Sequence, residues 1–196
     1  MKKGIIILVA IVAILVIFIF WGVGKYNGFV SQEEGVKAQW SNVENVYQRR
    51  SDLIPNLVAT VKGYAQHEES TLTEVVEARA KATSVTIDPT KLNANNIAAF
   101  QKAQDGLSGA LSRLMVSVER YPDLKANQNF LELQSQLEGT ENRIAVERRK
   151  YNEVAQAFNT AVRHFPGNII AGMGNFEQKG YFQAAAGADK APQVKF

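Results

Sequence analysis

Residues 49–69 read RRSDLIPNLVATVKGYAQHEE. Apolar residues recur through the stretch at helical spacing, Leu53/Ile54, Leu57, Val61 and Tyr64, on both sides of Pro55. What the proline does decides the fold. It lacks an amide proton and its ring clashes with the carbonyl of Ser51, which costs about 3 kcal/mol inside a helix but little in a first helical turn. It also pushes Ile54 away from the α region. In one reading Ser51 to Ile54, with Asp52 among them, form a tight corner and Pro55 opens a second helix. In the other a single long helix continues through a kink. The unbroken 3–4 spacing favours the kink. The near-equal lengths of the helices that a corner creates favour the corner, and the corner at Asp52–Pro55 is the expectation carried forward.

Outward from this stretch the same period repeats. Val36, Trp40, Val43 and Tyr47 form one stripe, and Leu57, Val61, Tyr64, Leu72, Val75 and Val76 another. Ile97, Phe100, Leu107, Leu111, Leu114, Val118 and Tyr121 form a third; Phe130, Leu137, Ile144, Tyr151, Ala155, Phe158, Val162 and Phe165 form the fourth. Such spacing places each set on one helix face. Breaks fall at the β-branched, Asp-Pro segment 84–90, at Tyr121-Pro122 and at Phe165-Pro166-Gly167. Helices are therefore expected at about 30–50, 56–83, 92–120 and 126–164. The reading is all-α: an antiparallel up-and-down four-helix bundle over 26–166. A glycine-rich segment, 167–196, follows; its Ile169, Ile170, Phe176, Tyr181 and Phe182 dock on the bundle and its last ten residues are mobile.

Before the bundle stands GIIILVAIVAILVIFIFWGVG, Gly4 to Gly24, without a charge, after the short flank 1–3. About 20 apolar residues at a rise of ~1.5 Å span the ~30 Å hydrocarbon core. The run closes on Phe18, Ile19, Phe20 and Trp21 instead of a small-x-small cleavage site, which favours a retained transmembrane helix over a removed signal peptide. Trp21 and Tyr26 then sit at headgroup depth as interface anchors. Lys2 and Lys3 on the short side place the N-terminus in the cytoplasm and the bundle outside it, in the bacterial inner membrane.

The formal net charge is +3; Lys2 and Lys3 supply two of these charges, so the rest of the chain is close to neutral and offers no nucleic-acid footprint. There is no cysteine, hence no disulfide, thiolate site or lipidated cysteine. His67-Glu68 begins like a HExxH zinc motif, but Thr71 stands where the second histidine is needed. A di-iron bundle needs Glu-x-x-His, and Tyr64 and Ala161 occupy the places three before His67 and His164. Gly172-Met173-Gly174 lacks the Lys-Ser/Thr of a phosphate loop, and no GxSxG elbow is present. No catalytic, cofactor or metal residue is assigned.

Charges inside the apolar stripes are more telling. Arg50, Glu68, Arg79, Glu141 and Arg148 fall in or beside buried phases. Facing inward they must pair, because an unpaired buried charge costs several kcal/mol. They are read as cross-helix ion pairs setting register, with a polar groove for a ligand carboxylate or a partner as the alternative. The ENRIAVERRKYN stretch, 141–152, alternates sign and reads as a solvated helix face.

Four strings carry a resemblance: KYNGFV; VKAQWSNVENVYQRRSDLIPNLVATVKGYAQHEESTLTEVVEARAKA; LSRLMVSVERYPDLKANQNFLELQSQLEGTENRIAVERRKYNEVAQAFNTAVRHFPGNIIAGM; and FEQKGYF. On these the chain resembles the LemA family of bacterial membrane-anchored proteins, from Tyr26 to Phe182. The resemblance implies an N-terminal membrane helix and a four-helix antiparallel bundle, and so supports the corner at Ser51–Pro55. It supplies no active site.

The expectation for function is a non-enzymatic, single-pass scaffold or adaptor of the bacterial envelope. Its partners are the lipid bilayer, further copies of itself (a homo-oligomer) or an unidentified envelope protein; nucleic acid is excluded. Partner contacts are placed on exposed aromatics near Gly167–Phe182 or on the charged faces around Arg49 and Arg148–Lys150. The alternatives are an envelope hydrolase or ligand-binding protein using interior Glu and Arg groups, and a lipid-handling or membrane-remodelling protein.

Overall fold

The computed structural model describes residues 2–65 and 68–184, apart from the side chain of Lys2. His67 and residues 185–196, including the ten expected to be mobile, lie outside the described residues. The chain is all-helical: α1 (Lys2–Tyr64), α2 (Glu69–Ser84), α3 (Ala94–Val118), α4 (Pro122–Lys125), α5 (Gln128–Arg163) and α6 (Gly167–Met173).

The corner at Asp52–Pro55 does not form. A single 63-residue helix, α1, runs through Pro55. At ~1.5 Å per residue it is about 95 Å long. Three observations explain why the proline is tolerated. Pro55 lies on the exposed side of the helix, while Ile54, Leu57 and Val61 are buried beside it. Burying such side chains contributes roughly 1.5–3 kcal/mol each, enough to offset the proline's cost. And the Ser51 carbonyl, whose donor in the helix ladder would be the missing amide of residue 55, accepts a hydrogen bond from Arg79 Nε of α2 at 2.8 Å. α1 ends instead at Tyr64, the residue after Gly63, and α2 opens with Glu69 in its first turn, where a carboxylate suits the helix dipole.

This arrangement predicts a coupled pair of substitutions. Arg79→Ala should cost about 1–3 kcal/mol by stranding the buried Ser51 carbonyl. In a Pro55→Ala background, where an amide returns to the ladder, the same change should cost under ~1 kcal/mol. Thermal unfolding of the four proteins of the cycle measures the difference; equal costs in both backgrounds would remove Arg79 from this role.

The other boundaries follow local chemistry. Asn93 caps α3 by accepting from Asn96 N, and Asn127 caps α5 by accepting from Phe130 N. In the 85–93 loop Asp88 accepts from the backbone N–H and hydroxyl of Thr90, which hold its carboxyl below the usual carboxylate range. The second half of α1 runs antiparallel to α5: Trp40 meets Tyr151, Arg50 meets Glu141, and Tyr64 accepts from Asn127. In the same way α2 runs antiparallel to α3, with Gln104 reaching Ala82 and Arg113 reaching Glu74.

The interior divides into two apolar clusters. One, nearer the N-terminal apolar run, gathers Trp40, Tyr47, Phe100, Tyr151, Phe158 and Phe182. The distal one gathers Ile54, Leu57, Leu107, Leu114, Phe130 and Leu137. Three residues expected in the stripes, Tyr64, Val76 and Phe165, are exposed. Each stands at or near the end of its helix, where no facing element covers it, or on the rim of the stripe.

Candidate functional site

Arg50 lies between the two clusters and is only 1% exposed. One of its terminal nitrogens donates to Glu141 Oε1 at 2.6 Å and to Ser108 Oγ at 2.7 Å. The other donates to the side chain of Gln104 at 2.6 Å and to the Gln104 carbonyl at 3.2 Å. Gln104 passes the chain on, donating from Nε2 to the Ala82 carbonyl at 3.1 Å. The guanidinium also covers the Tyr47 ring, 5.1 Å from its centroid. With Arg79 on the Ser51 carbonyl, this polar layer joins α1, α2, α3 and α5 at one level. A forked, permanently charged group suits the task, since it can bind acceptors on two helices at once.

The remaining sequence-predicted residues lie elsewhere. Glu68 is buried at the distal turn, where it accepts from Arg120 at 2.7 Å and from the Tyr121 hydroxyl at 2.9 Å. Donating to that carboxylate raises the Tyr121 phenol. Arg148 donates to the Gln183 carbonyl at 2.8 Å and stacks over the Phe182 ring at 4.8 Å. The five charges therefore occupy three separate places instead of one groove. The open groove between α3 and α5 is lined by Glu141 but by none of the other four. Among the described residues no group of three His, Asp or Glu side chains converges as a metal site would.

The sequence reading missed a second construction. Residues 176–184, which follow α6, form no helix. They run beside α5 in the opposite direction and are held by three side-chain amides. Asn159 donates to the Lys179 carbonyl at 2.8 Å and accepts from the Lys179 N–H at 2.7 Å. Asn152 does the same for Phe182, at 2.9 Å in both directions. Gln101 does so for Gln183, at 3.0 and 2.9 Å. Each amide thus satisfies both backbone groups of one residue in a segment that has no strand partner. Gly180 donates its N–H to the Leu92 carbonyl at 2.7 Å, and a Cβ there would stand 2.7 Å from Ala94 Cα, so only glycine fits.

Side chains lock what the amides position. Phe182, expected to dock on the bundle, is buried; it stacks on Trp40 at 6.1 Å and meets the Tyr151 ring edge-on at 5.5 Å. Burial also pushes the Tyr151 phenol up. Lys179 is buried as well, and its ammonium donates to Glu33 Oε1 at 2.5 Å over the face of Phe158. The segment has a clear structural purpose. Because α2 reaches only to the Arg50 layer, the proximal half of the core lacks a fourth helical wall. The 85–93 loop and residues 176–184 supply it. The one sequence signal was the clustering of Phe176, Tyr181 and Phe182 among glycines. The amides that clamp the segment, Gln101, Asn152 and Asn159, are polar residues outside the apolar stripes.

At the N-terminal end of the body Tyr26 packs edge-on against Phe176 at 5.3 Å, and Phe29 packs on the same ring at 5.5 Å. Trp21 is half-buried and meets Phe18 at 5.8 Å. The apolar run of α1 has none of its side chains buried against the rest of the protein.

A profile of the LemA family matches residues 39–196. Magnetosome protein MamQ 2 of Paramagnetospirillum magneticum is 30% identical over 182 residues, 84% of this chain and 67% of that protein. Magnetosome protein MamQ of Magnetospirillum gryphiswaldense is 29% identical over 200 residues, 92% of this chain and 74% of that protein. Protein LemA of Metamycoplasma hominis is 26% identical over 169 residues, 86% of this chain and 74% of that protein.

Proposed function

We infer a role from one premise: the chain belongs to the LemA family. It acts as a single-pass scaffold or adaptor of the bacterial envelope, a four-helix bundle carried on a transmembrane helix in the inner membrane, outside the cytoplasm and without catalysis of its own. The observation that carries this reading is the continuity of α1. One helix is bare and apolar over its first third and forms a wall of the packed body over its second half. A body joined to its anchor by unbroken helix cannot swing freely as it would on a flexible linker. It holds whatever it binds at a set height and azimuth above the bilayer, which is what a scaffold requires. The charged interior supports the same reading, because Arg50 and Arg79 are engaged by helix carbonyls and side chains that hold shape. The MamQ relatives are named for a cellular structure, the magnetosome, and not for a reaction.

The expected partners are further copies of the chain or an envelope protein. Crosslinking in native membranes, followed by mass spectrometry of the crosslinked peptides, tests this. Recurrent crosslinks to one protein or between copies support the scaffold; a chain that stays monomeric and uncrosslinked across expression levels overturns it. Reporter fusions after Phe196, one active only in the cytoplasm and one only outside it, assign the side.

A further inference from the structure

We propose that α6 and the corner before it form a second membrane contact, lying in the headgroup region of the bilayer that α1 crosses. The inference rests on the reading of residues 4–24 as the spanning segment and adds a surface to it.

Height comes first. The apolar run of α1 ends at Gly24, so at ~1.5 Å per residue Gly22 stands about 3 Å below the upper edge of the hydrocarbon core. A Cβ placed on Gly22 would lie 3.5 Å from Ile170 Cδ1. The body therefore does not hover above the membrane at this point. It reaches down along α1 until α6 lies level with Trp21 and Gly22, the depth where acyl chains give way to headgroups.

The composition of this end matches that depth. On the inner side Gly167 and Ala171 are buried, and a Cβ on Gly167 would come within 3.2 Å of Phe29. On the outer side Phe165 is 80% exposed, Ile169 55% and Met173 82%. Ile169 and Met173, four residues apart, share one face of α6, and the exposed Phe165 stands in the turn before it. Large apolar side chains presented this way are costly against water; against the bilayer interface the pair on α6 is the buried face of a short amphipathic helix. Around them Lys25, Arg163 and His164 are exposed. A cleft between α1 and the α5–α6 corner has Trp21, Phe29 and Phe165 in its lining, with Lys25 and His164 beside them. Apolar floor and basic rim together fit a bilayer containing anionic lipid, whose headgroups attract Lys25 and Arg163 near the surface.

The absence of cysteine makes the test direct. Full-length single-cysteine variants Val12→Cys, Val116→Cys and Met173→Cys carry an environment-sensitive nitrobenzoxadiazole label in vesicles of phosphatidylcholine and phosphatidylglycerol. Position 12 reports the anchor, position 116 the far end of α3, position 173 the proposed contact. The expected result is a blue-shifted emission at 173, quenching by lipids spin-labelled near the headgroup, and iodide quenching several-fold weaker than at 116. If 173 is as open to iodide as 116 while 12 is shielded, the contact is wrong and the anchor stands. If 12 itself is open to iodide, the anchor falls and takes the contact with it. Shielding of 173 from iodide without quenching by spin-labelled lipid means that protein covers this face, as in a pairing of two copies, and overturns the proposal.

Discussion

Arg50→Ala is expected to destabilise the helical body by about 3–5 kcal/mol, the cost of breaking a buried ion pair from one side. The guanidinium is almost wholly enclosed and supplies donors to Gln104, Ser108 and Glu141 at once. Truncation leaves the Gln104 side-chain oxygen without its donor between two apolar clusters, and opens a cavity the length of an arginine. Glu141 is the lesser partner because its side chain is 44% exposed and water can replace its contact. Glu141→Gln, which keeps an acceptor in place, should cost only about 1 kcal/mol. Arg50→Lys should stay closer to the alanine variant, since one ammonium cannot serve acceptors on two helices. In a body of this size 3–5 kcal/mol lowers Tm by on the order of 10 °C. Thermal unfolding in detergent, followed by circular dichroism, reads it. A drop of only a degree or two for Arg50→Ala would mean that the layer contributes little to the fold.

Trp40→Ala should cost a similar amount, about 3–5 kcal/mol, but its damage should be local. Trp40 is fully buried in the proximal cluster and touches Phe100, Tyr151 and Phe182. Phe182 is the chief apolar anchor of residues 176–184. Without the indole beneath it, the three amide clamps hold a segment whose main side chain has lost its floor. Hydrogen exchange should show the amides of Lys179, Phe182 and Gln183 losing protection first. Amides of α2 and the second half of α3, beyond the Arg50 layer, should keep theirs. Uniform loss through both halves would show that the two clusters unfold as one.

How far the sequence alone reaches can be argued from these residues. Trp40, Tyr47, Phe100, Tyr151 and Phe158 stand out because burial repeats at helical spacing, and periodicity survives in a string of letters. Arg50 and Glu141 stand out because a charge in an apolar phase has to be neutralised, although nothing in the string says that they meet each other. Pro55 misleads for a physical reason. The lost amide and the ring clash, which point to a corner, are both local. What rescues the helix is Arg79, 28 residues away, donating to a carbonyl that no pattern marks. α1 ends instead at Tyr64, beside a weaker local signal, Gly63, which the proline outweighs on paper. The docking of Phe176 and Phe182 is legible, but the course of segment 176–184 is not, for a related reason. It is held mainly through backbone groups, and backbone groups are the same in every sequence.

That segment has a further consequence in the order in which the molecule is built. Domains generally fold as units and from the N-terminal side while synthesis proceeds. The distal half has all its walls once α5 has left the ribosome. The half nearer the apolar run of α1 does not, because its last wall is drawn from residues 176–184 and emerges later than every helix. Until then Trp40 and Tyr151 face an unroofed trench. The protein is thus made in two instalments, a distal half that can close during translation and a proximal half that must wait for its final strap.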